Sequence, residues 1–241
     1  MRLIAFSLWG VDRKYTDGAL RNAELAGTIY PGWRTRFYVA NNVPADVSDR
    51  LQRTAGVEIV RKPGPADWTA LLWRFEAGHD TSLECVVFRD TDSRLNAREK
   101  AAVDAWLASD KDLHVMRDHP HHTRPILGGM WGVKIGADWV RVYRGLLQSF
   151  AAGAARNRYG TDEQFLRFIW DRVNPSRILV HDEFFAGSPF PTARRGLEFV
   201  GENLDEFDHP CDPSHARILQ AALAKRGAYD TRRGNGMPAG G

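Results

Sequence analysis

The chain has 241 residues, with 33 lysines and arginines against 30 aspartates and glutamates, for a formal charge of +3. At 43% hydrophobic and 26% charged residues it is composed like a globular protein, which excludes a disordered tail, a coiled coil and a collagen-like repeat. So small a positive excess does not suit a long polyanion, and nucleic acid is not expected as the main partner.

In chain order, the apolar run at residues 3–8 predicts a buried strand. Residues 17–30 follow as a helix with Ala19, Leu20, Ala23, Ala26 and Ile29 on its apolar side, stopped by Pro31-Gly32. A second strand is expected at 36–40, a helix at 44–55, a third strand at 57–60 and a helix at 68–77. A fourth strand at 84–89 ends in Asp90-Thr91-Asp92. Strands alternating with helices predict crossover units and a mostly parallel sheet covered on both faces. The second half is less regular. It reads as helix 98–109, strands 113–117 and 132–135, helices 137–152 and 161–173, and a short strand at 178–181. Residues 184–213 are loop-like, 214–225 a terminal helix, and 228–241 a flexible tail. The economical organisation is one α/β domain over residues 1–227 with a mixed second half.

No run approaches the roughly 20 apolar residues that a membrane helix needs. The first eight residues lack a small-residue cleavage pattern, so no signal peptide is expected. Two cysteines, Cys85 and Cys211, make no disulfide scaffold, which points to a reducing cytoplasm. Eight tryptophans suggest a large core and a face for flat or sugar-like ligands.

The strongest chemical signal is the apolar strand that runs straight into Asp90 and Asp92. In an open α/β sheet, ligands bind beyond the carboxyl ends of the strands. Two carboxylates one residue apart in extended chain point the same way and together suit a hard divalent cation. Mg²⁺ or Mn²⁺ held in this way takes its other ligands from water and phosphate oxygens. The plainer reading is an Asp-rich turn that caps a strand. A second signal is His181, at the end of a short strand, as a third metal ligand. The third is Tyr159-Gly160-Thr161-Asp162-Glu163-Gln164, where Thr161 reads as an N-cap and the acids suit the helix dipole. The same helix start places polar groups where they would face a ligand. Trp9 and Gly10, just after the first strand, are read either as a bracket for a nucleotide base or as core packing. In Asp118-His119-Pro120-His121-His122 a zinc site is one reading, though Pro120 breaks helical spacing. The preferred reading is a loop at the strand end. No Gly-X-Gly-X-X-Gly or Walker-type loop is present, so dinucleotide and P-loop functions have no support.

In the order of these motifs, over roughly residues 3–187, the chain resembles nucleotide-sugar-dependent glycosyltransferases of the GT-A fold, most nearly the retaining enzymes of glycosyltransferase family 8. Asp90 and Asp92 match that family's metal-binding pair, His181 its metal-binding histidine, and Arg74 its nucleotide-contacting basic residue. The stretch Gly128-Gly129-Met130-Trp131-Gly132-Val133 resembles the small-residue strand that lines the sugar pocket. Asp162-Glu163-Gln164 stands where the family has Asp-Gln-Asp. The family's Gly-X-X-Lys-Pro-Trp is missing, and Arg194 or Arg195 would replace its phosphate-binding lysine.

The resemblance implies a single-domain, Rossmann-like GT-A fold and a cofactor, Mn²⁺ or Mg²⁺, on Asp90, Asp92 and His181. It implies Arg74 and Arg194 on the diphosphate, Trp9 and Gly10 at the nucleotide, and Glu163 as nucleophile with Asp162 on sugar hydroxyls. Asp118, His119, Gly129, Trp131 and Gln164 would then face the sugar or the acceptor. The donor is expected to be UDP-linked, the acceptor a glycan or glycolipid, and transfer to retain configuration. Lipid-linked acceptors would be reached from the cytoplasmic face of a membrane through the basic C-terminal residues Arg217, Lys225, Arg226, Arg232 and Arg233. Two other readings are a metal-dependent phosphohydrolase of the haloacid-dehalogenase type and a non-catalytic nucleotide-sugar-binding protein. The first of these usually carries Asp-X-Asp on the first strand, whereas here it follows the fourth.

Overall fold

The computed structural model describes residues 1–63, 66–152 and 160–234, without the side chains of residues 137, 138, 141, 151 and 227–234. The strands are β1 (Arg2–Leu8), β2 (Arg34–Ala40), β3 (Val57–Lys62), β4 (Cys85–Phe88), β5 (Leu113–Arg117), β6 (Trp131–Lys134) and β7 (Ile178–Asp182). The helices are α1 (Arg13–Ile29), α2 (Ala45–Arg53), α3 (Ala97–Leu107), α4 (Ala137–Ala151), α5 (Thr161–Trp170) and α6 (Pro213–Gly234). The seven strands form one sheet in the order β3-β2-β1-β4-β6-β5-β7. All pairings are parallel except those of β6, which runs antiparallel between β4 and β5. The expected α/β class with a mostly parallel sheet and a mixed second half is therefore observed.

Both faces of the sheet are buried, which is why β1 is apolar at Leu3–Phe6 and Leu8. Leu3 and Ala5 face a core shared with Phe75, Phe88, Trp131, Tyr143 and Phe165. Ile4, Phe6 and Leu8 point the other way, onto Ala19, Leu20, Phe37, Val87 and Trp106. Helix α1 starts four residues before the expected 17, because the Asp12 side chain accepts the Lys14 N–H at 3.0 Å and caps it there. The segment expected as an α-helix at 68–77 is a 3-10 helix, Trp68–His79. Within it the Arg74 N–H donates to Ser7 Oγ of β1 at 3.0 Å, which holds this turn against the strand.

After β7, residues 184–212 form no further named strand or helix and fold back over the carboxyl ends of the strands. The Leu204 N–H donates to the Asp92 carbonyl at 2.7 Å. Helix α6 runs on to Gly234, and residues 235–241 of the expected tail lie outside the described residues. Among the described residues no helix is long and apolar enough to cross a membrane.

Candidate active site

Order in the sheet reverses at β1 and β4, with β2 and β3 on one side and the later strands on the other. Chains leaving two such neighbours part in opposite directions and leave a crevice at their carboxyl ends. Trp9 and Gly10 leave β1 there, and Asp90 and Asp92 leave β4. A cavity of about 250 Å³ lies at this point, lined by Asp90, Asp92, Asp162, Glu163, Trp9, Tyr15, Trp68, His122, Gly128 and Asn203. An adjoining pocket of about 190 Å³ is walled by Trp9, Tyr15, Trp68 and Gly10. Gly10 adopts φ +81°, a left-handed conformation that suits glycine, and its N–H donates to Asn42 Oδ1 at 2.9 Å.

Arg74 organises the carboxylates from beneath. It is 2% exposed and donates to Asp90 Oδ1, to Asp162 Oδ2 at 2.9 Å and to the Arg89 carbonyl at 2.9 Å. Asp162 is held on its other oxygen by the Glu163 N–H at 3.0 Å. Gly128 and Gly129 make this packing feasible. A Cβ on Gly128 would lie 2.2 Å from Asp162 Oδ2, and one on Gly129 would lie 2.2 Å from Asp90 Oδ2. Asp92 pairs with Lys14 at 3.0 Å. Burial and the charge of Asp90 nevertheless raise the Asp92 carboxyl above its ordinary range, with Lys14 opposing. Glu163 is raised too, by burial and then by Asp162, although Arg124 sits 3.2 Å away. Gly160, at φ +77°, caps α5 where Thr161 was expected to. Tyr159 lies outside the described residues.

The carboxylate pair fits a hard dication. Asp90 is 40% exposed to the same cavity as Asp92, and the mutual repulsion that raises Asp92 is what such an ion would relieve. Two carboxylates with water and phosphate oxygens are a common Mg²⁺ set. His181 is not brought to that pair. It lies on β7, with β6 and β5 between it and β4. Its Nδ1 is 2.8 Å from Nε2 of His114, whose ring stacks on Trp106. No group of three His, Cys, Asp or Glu is arranged for a metal among the described residues.

Five other expected ligand contacts are engaged elsewhere. Trp131 is fully buried and stacked on Phe88 at 4.2 Å, because strand alternation turns it into the core. Asp118 has no exposure. It accepts from Arg98 at 2.9 Å, Arg194 at 2.6 Å and the Val200 N–H at 3.0 Å. Arg194 is thus an anchor for the loop over residues 184–212 and does not line the cavity. His119 is 1% exposed, with Nε2 3.0 Å from the His215 carbonyl. Arg74, expected on the nucleotide, is instead bound to the carboxylates. Gln164 lines a second opening of about 330 Å³ beside Glu163, with Arg124 and Arg167. Lys14, Tyr15 and Asn203 were not singled out from sequence, Trp68 counted only among the eight tryptophans, and His122 entered only through the zinc reading. For Tyr15 the available signal was an aromatic residue in otherwise polar surroundings.

No family model matches the chain, and no curated protein matches it. Among solved structures it is similar to the 4-diphosphocytidyl-2C-methyl-D-erythritol synthase of Anaerococcus prevotii, at 10% identity and a TM-score of 0.51, over 93% of this chain and 98% of that one. A glycosyltransferase involved in glycosylation of the major capsid of PBCV-1 is 16% identical, over 77% of this chain and 82% of its own, with TM-score 0.49. The glucosyl-3-phosphoglycerate synthase of Mycobacterium tuberculosis, in complex with Mn²⁺, UDP and glucosyl-3-phosphoglycerate, is 15% identical over 94% and 79%, also at 0.49. The first likeness spans nearly all of both chains and shows the fold. The chain has the Rossmann-like α/β fold of that first synthase.

Proposed function

We propose that this protein is a divalent-metal-dependent glycosyltransferase that moves a sugar from a nucleotide sugar, UDP-linked, to a glycan or glycolipid acceptor with retention of configuration. One observation carries the reading. Asp90 and Asp92 share a single cavity with Asp162 and Glu163, beside an aromatic pocket of Trp9, Tyr15 and Trp68. A flat base suits the aromatic pocket, a diphosphate the carboxylate pair, and a sugar the space between Gly128 and Glu163.

Bound at Asp90 and Asp92, Mn²⁺ or Mg²⁺ would act as a Lewis acid on the leaving diphosphate. The chain's own groups do the rest. Arg74 fixes Asp90 and Asp162 in place without meeting solvent. Asp162 binds sugar hydroxyls, and Gln164 lies toward the acceptor opening. Glu163 faces the anomeric carbon. Its raised basicity favours attack there as the bond to the diphosphate oxygen breaks with its electron pair. An acceptor hydroxyl then displaces the Glu163 carboxylate, its proton passing to the released diphosphate, and restores the original configuration. The same reading places the protein in the cytoplasm, with peripheral contact to a membrane through Arg217 and Lys225. Arg226 turns back to donate to the Glu183 carbonyl.

Purified protein incubated with Mn²⁺ and a panel of nucleotide sugars is expected to release nucleoside diphosphate slowly, and Asp92→Ala to abolish the release. Phosphate release from simple phosphomonoesters, pyrophosphate release from nucleoside triphosphates, or binding with no turnover in an acceptor pool would each overturn the reading.

A further inference from the structure

The loop after β5 supplies one polar side chain to the cavity wall, His122, beside the apolar Leu127 and Met130. The Asp118 backbone N–H donates to its Nδ1 at 3.0 Å. A neutral imidazole has one proton and one ring lone pair available in its plane. A nitrogen that accepts an N–H keeps its lone pair, so the proton resides on Nε2. His122 is therefore fixed as the Nε2–H tautomer.

That tautomer determines what the ring can do. Nε2–H has no lone pair for a metal, so His122 cannot replace His181 beside Asp90 and Asp92. It can only donate. A donor on this wall complements the four carboxyl groups Asp90, Asp92, Asp162 and Glu163, since Arg74 is already committed to two of them, and it joins Ser93 and Asn203 among the polar groups that line the cavity. Among the described residues Nε2 of His122 has no hydrogen-bond partner, and it is not among the sealed polar atoms. Burial, then the neighbouring His119, His215, Arg194 and His121, pushes the imidazole down to about 3, so the ring stays neutral near pH 7.

We propose that His122 is a ligand-contacting residue of this site, donating its Nε2–H to an oxygen of the bound nucleotide sugar. The proposal rests on the nucleotide-sugar reading above. A phosphate oxygen and a sugar hydroxyl share the acceptor chemistry, and the two ligands used in the test separate them.

Nitrogen-15 spectra of the histidine-labelled full chain read the tautomer with no nucleotide present. A neutral Nε2–H ring at His122 from pH 6 to 8 is expected; an Nδ1–H or doubly protonated ring overturns the proposal alone. Calorimetry then compares wild type, His122→Phe and His122→Gln with Mn²⁺–UDP and with Mn²⁺–UDP-glucose. Phe keeps a planar ring without the donor, while Gln can place an amide N–H where Nε2–H stood. His122→Phe is expected to weaken binding about tenfold, and His122→Gln to recover it to within about threefold. A loss with UDP alone assigns the donor to a phosphate oxygen, and a loss confined to UDP-glucose assigns it to a sugar hydroxyl. The proposal fails if His122→Phe melts like wild type and binds both ligands within twofold of it. It also fails if His122→Gln, equally well folded, is no better than His122→Phe. Wild type binding neither ligand, with the Nε2–H tautomer present, would overturn the nucleotide-sugar reading and this proposal with it.

Discussion

At the scale of single residues, Glu163 and Asp162 are neighbours in sequence with different surroundings, and the proposed mechanism gives them different tasks. Asp162 is 6% exposed, with Arg74 on one oxygen and the Glu163 N–H on the other. Glu163 keeps a third of its side chain exposed and opens on both the carboxylate cavity and the second opening beside Arg124. Replacing Glu163 with Gln is expected to lower kcat roughly a hundredfold or more, with nucleoside diphosphate affinity within about twofold. Burial and Asp162 raise the Glu163 carboxyl, so the ionised form that the proposed attack requires is lost as pH falls through a value above the ordinary carboxylate range. The wild-type kcat profile should therefore carry an acidic limb in that range, and Glu163→Gln should remove it. Unchanged turnover in the variant would take Glu163 out of the mechanism.

At the scale of elements, the site depends on how closely the Gly128-Gly129 turn before β6 approaches the ends of β4 and α5. A methyl group on Gly128 meets Asp162 Oδ2 at 2.2 Å and Arg74 Nη2 at 2.8 Å, so the ion pair beneath the cavity must move. Gly128→Ala is expected to cost about 1–3 kcal/mol of stability and to lower turnover at least tenfold. Gly27→Ala, inside α1, has nothing within 4 Å of the added carbon and serves as the control, with stability equal to wild type or up to about 1 kcal/mol higher. Urea denaturation of the two variants checks both values, and equal midpoints would deny the glycine turn its role. The turn was legible as a small-residue stretch. Which of its neighbours needed the space was not, because β4 and α5 lie about 40 and 30 residues away in the chain and only packing brings them there.

At the scale of the whole molecule, the far edge of the sheet holds a buried pair of neutral histidines, His114 and His181. Burial, then Arg98, pushes His181 down to about 4, and burial with His181 pushes His114 well below its ordinary value. The unfolded chain, with histidines near 6.5, binds more protons than the native state between about pH 4 and 6.5. Stability contributed by the pair is present above pH 6.5 and falls as the pH drops toward 4. Asp92, Asp162 and Glu163 are shifted upward and act in the opposite sense just above the ordinary carboxylate range. Comparing urea midpoints of wild type and His181→Gln at pH 7.5 and 5 isolates the histidine contribution. Wild type should lose more on acidification, and parallel losses would refute the linkage.

The sequence by itself determined the strand and helix succession, since apolar periodicity and capping residues are local properties, and it marked Asp90, Asp92, Asp162 and Glu163 as chemistry. A formal charge of +3 concealed that clustering, because a sum over the chain carries no positions. Only the tertiary structure decided the rest. Antiparallel β6 inserts between β4 and β5 and carries His181 to the sheet edge, strand alternation buries Trp131, and Asp118 binds Arg194 before any phosphate can. These outcomes follow from pairing order and close packing between distant segments, which no local pattern encodes.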